Sequence, residues 1–326
     1  MNICVVSKQA YFEEVAIGIS DGLRECGNVV ANRCTFEEKR RFDAILVIGV
    51  HLYPMIPFLP STLILGIQTE QLPVCGNGQG RIRRNLKRFE SVLGYYDLLF
   101  EWNPALHAAG KGGRVFLPYG CSVRADPRYQ MLHDIAFVGN IHNSARRQRI
   151  LSEISREFDL NPEFSPGFGE GRDRLIGSAK ILLNIHHYDD DGLEAPRLFD
   201  CLSRGAFLLS EKASNCRPFV SGRDFVEFES LEDLKIKIRY FLANENIRKE
   251  IAESGKEAAG RHTFGVSASI IDSEIQNLSK TASRGFFRAV RWFHARVRCG
   301  FFLLRDQLSL IRRRFADQTI REGLKN

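Results

Sequence analysis

Two stretches of this chain bring cations, carboxylates and glycine together at spacings that could hold a phosphate. The first, residues 139–147, reads Gly-Asn-Ile-His-Asn-Ser-Ala-Arg-Arg. Gly139 leaves room for a ligand to approach the backbone, Asn140 is polar, and Arg146 and Arg147 could fork onto diphosphate oxygens. The second, residues 194–206, begins Glu194, Ala195, Pro196, Arg197 and continues through Asp200 to Gly205 and Ala206. Pro196 suits a first helical position, where its missing N–H would have no partner anyway. Leu198, Phe199, Leu202 and Ala206 recur at helical spacing and Gly205 supplies a stop. A helix that starts where a parallel strand ends aims unpaired N–H groups and a positive dipole at the crevice above the sheet, which suits an anion. Arg197 sits in that first turn against the dipole, so an anion is expected to hold it, either a phosphate or Glu194.

Other candidates are weaker. Asp189, Asp190 and Asp191 form an acidic loop that could hold a divalent cation against a diphosphate, but the helix start and nearby arginines already supply positive charge. We therefore expect a solvated loop and no metal. His186 and His187 read as loop residues with local partners. Among the loops after the early strands, His51 follows one strand end and Gln68, Thr69, Glu70 and Gln71 follow another. Glu70 could act as general base toward an acceptor hydroxyl. Trp102, Asn103 and Gly120 are expected to line the same cleft. Residues 167–172, Gly-Phe-Gly-Glu-Gly-Arg, follow no clear strand and lack the Lys-Ser/Thr ending of a phosphate loop, so they read as a flexible loop over the site.

The elements that must position these groups alternate. Apolar runs of strand length fall at 2–7, 29–31, 43–50, 62–67, 97–101 and 114–117, separated by segments with helical spacing such as Val15, Ile17, Ile19 and Leu23. After a turn-rich connector from Pro118, runs at 134–138, 181–185, 206–209 and 224–228 repeat the scheme, with helices expected over 144–158 and 231–258. This alternation implies parallel sheets covered on both faces, with ligands beyond the carboxyl ends of the strands. We divide the chain into an amino-terminal Rossmann-like unit, 1–128, a second Rossmann-like unit, 129–280, and a tail, 281–326.

Two such doubly wound units in tandem form the GT-B architecture, and the motifs agree with it. Residues 194–206, together with the Phe137-Val138-Gly139 start and its following arginines, resemble the donor-binding elements of group-one glycosyltransferases, especially the branch related to the spore-maturation CgeB-like proteins. The resemblance implies transfer of a sugar from a nucleotide-sugar donor to a glycan or lipid-linked hydroxyl acceptor in bacterial surface-polysaccharide or glycolipid assembly, with no further cofactor. It implies that Gly139, Asn140, Arg146, Arg147 and Arg197 bind the donor diphosphate, that Asp200 grips the ribose, and that Glu194 lies near the transferred sugar. The family has two glutamates eight positions apart. Counting back eight from Asp200 reaches Gly192, so Glu194 or Asp191 must substitute. That broken spacing keeps a second class open, a non-catalytic envelope or spore-surface protein that retains the fold.

Composition bounds the remaining choices. A chain of 326 residues with 44% hydrophobic residues is globular and long enough for two cores. The eight cysteines are scattered singly and read as small core residues of a reducing compartment. The amino terminus, Met-Asn-Ile-Cys-Val-Val, reads as a strand and not a secretory signal. No run approaches the ~20 apolar residues of a membrane span. We therefore expect a cytoplasmic protein. Its formal charge of +7 resides in the tail, where ten Arg and one Lys face Asp306, Asp317 and Glu322, a net +8. The basicity thus does not mark a nucleic-acid-binding surface on the two units. In the tail, Val290, Phe293, Val297, Phe301, Leu304, Leu308, Ile311 and Phe315 step by three and four while Arg284, Arg291, Arg298, Arg305 and Arg312 recur every seven. The pattern predicts a basic amphipathic helix, one that can lie in an anionic membrane interface on the inner face or pack on a partner or on the first unit, and that the two units do not obviously need.

Overall fold

The computed structural model describes residues 1–8, 12–32, 41–72, 81–109, 114–122, 129–142, 144–165, 169–188, 192–280 and 285–323; of residues 81, 82, 285, 286, 306 and 308–323 only the backbone is described. The acidic loop 189–191 lies outside these residues.

Six parallel strands form the first sheet: β1 (Asn2–Ser7), β2 (Val29–Asn32), β3 (Ala44–Ile48), β4 (Leu63–Gln68), β5 (Leu98–Glu101) and β6 (Arg114–Phe116), in the order β2-β1-β3-β4-β5-β6. Four more form the second: β7 (His133–Phe137), β8 (Ala179–Asn184), β9 (Leu208–Glu211) and β10 (Val226–Phe228), in the order β10-β9-β8-β7. β3 is buried along its whole length, which is why it reads as an unbroken apolar run. β9 and β10 each start two residues later than expected, although the Phe207 carbonyl already accepts from the Leu182 N–H at 2.9 Å.

Helices α1 (Glu13–Glu25), α2 (Arg81–Val92) and α3 (Pro104–Ala109) accompany the first sheet, and α4 (Ala145–Ser155), α5 (Glu170–Gly177) and α6 (Ala195–Leu202) the second. α1 turns Val15, Ile19 and Leu23 into the core at spacings of four, so Ile17 falls on the opposite side and is exposed. The expected loop at 167–172 is corrected in part: Glu170, Gly171 and Arg172 form the first turn of α5. The long helix expected over 231–258 is two, α7 (Leu231–Ala243) and α8 (Glu245–Gly260), because Asn244 leaves helical geometry at φ −120° and ψ 71°.

Two further helices return to the first unit. α9 (Phe264–Lys280) packs along α1, where a Cβ on Gly22 would come within 2.7 Å of Ala268 Cβ and 2.9 Å of Gly265 Cα, so only glycine permits this approach. Asn28 Nδ2 donates to Asp272 Oδ1 at 2.7 Å across the same contact. α10 (Gly285–Gly323) passes through Gly300 without a break and lies against α2 and the turn at residues 93–95. Trp292 Nε1 donates to the Ile56 carbonyl at 2.7 Å, its ring meets those of Phe58 and Tyr95, and Ala295 and Cys299 are buried with it. The tail therefore packs on the first unit, one of the two dispositions its pattern allows.

Cys26, Cys121, Cys201, Cys216 and Cys299 are free thiols. Cys4 is disulfide-bonded, which corrects the reading of all eight as single thiols.

Candidate functional site between the two sheets

The carboxyl ends of both sheets face one cleft. A cavity of about 310 Å³ there is lined from the first unit by Gln68 to Gln71 after β4 and by Glu101, Trp102 and Asn103 at the end of β5. From the second unit come Asn140 after β7, His187 and Tyr188 after β8, and Leu193, Glu194, Ala195 and Pro196 at the start of α6. This is the crevice that open parallel sheets reserve for ligands. A larger cavity of about 610 Å³, lined by Lys180, Arg204, Phe207 and Arg248 among others, opens at the amino ends of β8 and β9. It lies away from every strand-end loop, so the smaller cavity is the candidate site.

Behind the second-unit wall stands a compact ionic cluster. Arg147 is only 3% exposed; its Nη2 donates to Glu194 Oε1 at 2.6 Å, Nε to the Ile185 carbonyl at 2.9 Å and Nη1 to the Asn140 carbonyl at 3.0 Å. Arg197 approaches the other oxygen, Nη1 to Glu194 Oε2 at 3.0 Å, while Nε donates to the Val138 carbonyl and Nη1 to Asn184 Oδ1, both at 2.6 Å. Both guanidinium groups stand over the ring of Phe137. Arg146 is paired with Glu211, which also accepts from the His186 N–H at 2.9 Å.

Electrostatics follow from this geometry. Burial alone would push the Glu194 carboxyl up, yet Arg197 and Arg147, with smaller help from His186 and the His187 N–H, hold it down at about 2. Burial is also the main influence that brings Arg147 down to about 10, followed by repulsion from Arg197 and against the pull of Glu194. Among the described residues the cluster sets three guanidinium groups against the carboxylates of Glu194 and Glu211.

These contacts revise several expectations. Glu194 and Asn140 do line the cavity, but Arg147 is directed into the protein and is satisfied there, so it does not fork into the cleft. The anion that holds Arg197 is Glu194. Gly139 is needed for a different reason than ligand approach: its φ is +155°, and a Cβ there would meet Arg197 Nη2 at 2.6 Å. Asp200 lies six residues along from Glu194 and outside the cavity lining, paired with Arg172 of α5 and, at 3.6 Å, with Arg204. Gly120 is outside the lining as well.

The first-unit wall carries the expected Glu70, which accepts from His51 Nε2 at 3.1 Å and from Asn85 Nδ2 at 3.1 Å. Burial, then repulsion from Arg88, brings His51 down to about 4, so it is neutral at physiological pH and donates to Glu70 as a neutral imidazole. Three buried donors on this wall, Thr69 Oγ1, Gln71 Nε2 and Trp102 Nε1, have no hydrogen-bond partner among the described residues. Glu101 is the residue that motif reading missed, because it was counted as the end of a strand. Burial lifts its carboxyl to about 7 in spite of the Asn103 N–H, Arg114 and the Trp102 N–H. Its signal was positional: like Glu211, it is a carboxylate at the last residue of a parallel strand.

Relatives of known structure define the fold. Sucrose-phosphate synthase from Thermosynechococcus elongatus superposes with a TM-score of 0.61 at 10% identity, over 86% of this chain and 100% of that one. Anabaena HepE in complex with UDP and glucose gives 0.61 at 9% identity, over 85% and 100%. AviGT4, a glycosyltransferase of avilamycin A biosynthesis, gives 0.59 at 13% identity, over 86% and 98%. The architecture is that of GT-B glycosyltransferase structures. Residues 172–273, which include α6 and its start at the cavity, match the family described as Glycosyl transferase-like. No curated protein matches the chain in sequence.

Proposed function

We propose that the protein is a glycosyltransferase that moves a sugar from a nucleotide-sugar donor to a hydroxyl acceptor. The observation that carries this reading is the match of residues 172–273 to a glycosyl transferase-like family, because that segment supplies the Glu194–Pro196 edge of the cleft cavity. Anabaena HepE is known in complexes with UDP and with UDP-glucose, which supports a uridine diphosphate sugar as donor.

In this reading the diphosphate lies at the start of α6, near Asn140 and His187. It gains negative charge as the glycosidic bond breaks, and the helix start together with the guanidinium groups of Arg146, Arg147 and Arg197 stabilises that change through the field. Buried charges that are already oriented by Glu194 and Glu211 need no reorganisation during the reaction. The unpartnered donors Thr69, Gln71 and Trp102 suit the hydroxyls of a sugar or an acceptor, and Glu70, oriented by His51 and Asn85, is placed to accept the acceptor proton. The ribose role that family resemblance gives to Asp200 requires Arg172 and Arg204 to share it with the nucleotide. By the same resemblance the acceptor is a bacterial surface glycan or glycolipid, and the chain is similar to the CgeB-like branch.

A second reading is a protein that keeps the fold and binds a nucleotide sugar without turning it over. It is favoured by the tight ion pairing of Glu194, which removes the acid nearest the donor from proton chemistry. Both readings are tested by thermal melting with a panel of nucleotide sugars, since a ligand that binds the folded state raises the melting temperature, followed by UDP release with and without acceptor. A shift with one UDP-sugar and release of UDP supports transfer. A shift without release supports the second reading, and no shift with any nucleotide sugar removes both.

A further inference from the structure

α10 divides its two sides in an unusual way. The face that docks on the first unit is made by Arg288, Trp292, Ala295 and Cys299. Arg288 is held by Asp97, at 2.8 Å to both carboxylate oxygens, and by the carbonyls of Pro60 and Thr62. The apolar stripe is elsewhere. Val290, Phe293, Val297 and Phe301 each stand two positions from a docked residue, about 200° around the helix, and so point away from the protein. Phe293 is 61% exposed, Phe301 70% and Leu304 55%. Phe287, at the start of the helix, is exposed too.

Charge borders this stripe on both sides. Arg298 and Arg305, seven residues apart, lie along one edge and Arg296 along the other, and all three are exposed, whereas Arg291, a further seven residues back, is held by Asp97 at 3.2 Å on the docked side. No acidic side chain is described between Phe287 and Arg305. A soluble monomer rarely keeps contiguous aromatic surface in water without a partner, and arginine on both edges selects an anionic one. No described helix is long and apolar enough to cross a membrane. A helix that is apolar on one side and cationic at its margins is instead suited to lie in the plane of a bilayer interface, rings among the acyl chains and guanidinium groups at the phosphates.

We propose that the outward face of α10 docks the protein on an anionic lipid surface. The direction of the helix gives this surface a relation to the cleft. α10 begins beside Pro60, Thr62 and Asp97, at the amino ends of β4 and β5, and passes Gly94 and then Ser91, where Ser91 Oγ meets Cys299 Sγ at 3.8 Å. It thus runs antiparallel to α2 and along the strand direction, from the amino ends toward the carboxyl ends where the cavity opens. A bilayer lying along α10 therefore flanks the first-unit wall of the cleft, the side on which, if the transferase reading holds, an acceptor anchored in lipid would arrive.

The test uses the full chain and no nucleotide, so its result is independent of the transferase reading. Sedimentation with vesicles of phosphatidylcholine containing phosphatidylglycerol is compared with phosphatidylcholine alone, alongside the oligomeric state in the absence of lipid. We expect binding to the anionic vesicles only, weakened by salt. Phe293→Ser with Phe301→Ser should lower partitioning by roughly tenfold or more, and Arg298→Gln with Arg305→Gln should lower it and flatten the salt dependence. Melting should be unchanged in both, since these side chains touch solvent. Ile236→Ser with Tyr240→Ser, an exposed apolar pair on α7, should bind as the wild type does. Failure of the wild type to sediment with anionic vesicles at low salt would overturn the proposal, as would undiminished binding of the double Phe variant. A lipid-free dimer that the Phe substitutions dissociate would assign the stripe to a second copy of the chain instead.

Discussion

Arg147 Nη2 lies 2.6 Å from Glu194 Oε1, joining the helix after β7 to the helix after β8 across the carboxyl end of the second sheet. With Arg197 on the other oxygen, this pair makes Glu194 a structural anion at the edge of the cavity and not a proton donor or acceptor.

Glu194→Gln should therefore act first on stability. It leaves two largely buried guanidinium groups facing a neutral amide, a loss of about 3–5 kcal/mol for a broken buried pair, read by urea unfolding. The effect has a defined pH window. The folded carboxyl is held near 2 against an ordinary value of 4.5, so its contribution is complete above about pH 4.5 and is lost as pH falls toward 2. The gap between wild type and variant should narrow over that range; a gap that does not change with pH would contradict the pairing.

Arg146→Ala combined with Arg147→Ala is expected to lower the melting temperature markedly. It takes Arg146 from Glu211, leaves Arg197 as the guanidinium on Glu194 and removes the Ile185 and Asn140 carbonyl contacts. A double variant that melts like the wild type but has lost UDP affinity would restore the direct phosphate role that motif spacing suggested.

Gly139→Ala should disturb the same cluster from the backbone side. The alanine would adopt a φ of +155° and press its Cβ on Arg197, at a cost of about 1–3 kcal/mol. We expect reduced stability together with weaker donor binding. Full retention of both would show that Arg197 has room to move.

For Asp200→Asn, the amide oxygen can still accept from Arg172, but the NH2 group faces Arg204 and the charge is lost, so melting should fall while UDP affinity stays within about threefold. Donor affinity and turnover must be measured separately. A tenfold loss of UDP affinity in the folded variant would instead give Asp200 the ribose role.

Glu101 carries the opposite pH sign to Glu194. Its folded carboxyl is raised to about 7 from 4.5, chiefly by burial, so the neutral form favours folding below about pH 4.5 and that advantage is lost as pH rises through 7. Glu101→Gln should thus gain stability relative to wild type as pH rises from 4.5 to above 7, checked by melting across that interval.

The strands and the start of α6 could be read locally. Residues 44–48 and 181–183 are apolar without interruption because both faces of a parallel strand are covered, and Pro196 marks a helix start because of its own covalent structure. Alternation of such segments is enough to imply two doubly wound sheets, and with them a cleft at the strand ends that holds Glu70, Asn140 and Glu194. Partner choice was not legible. Arg147 finds Glu194 across 47 positions and Arg146 finds Glu211 across 65, so whether these arginines meet a phosphate or a carboxylate depends on which side chains the sheet brings within about 3 Å. The same holds for Gly139, whose missing Cβ makes space for Arg197, and for Gly22, which admits α9. In α10 the spacing determined that an apolar stripe exists. Only tertiary packing decided that Trp292, Ala295 and Cys299 face the protein while Phe293 and Phe301 face outward, because a helix with apolar residues on both sides can dock by either until the shape of the surface beneath it selects one.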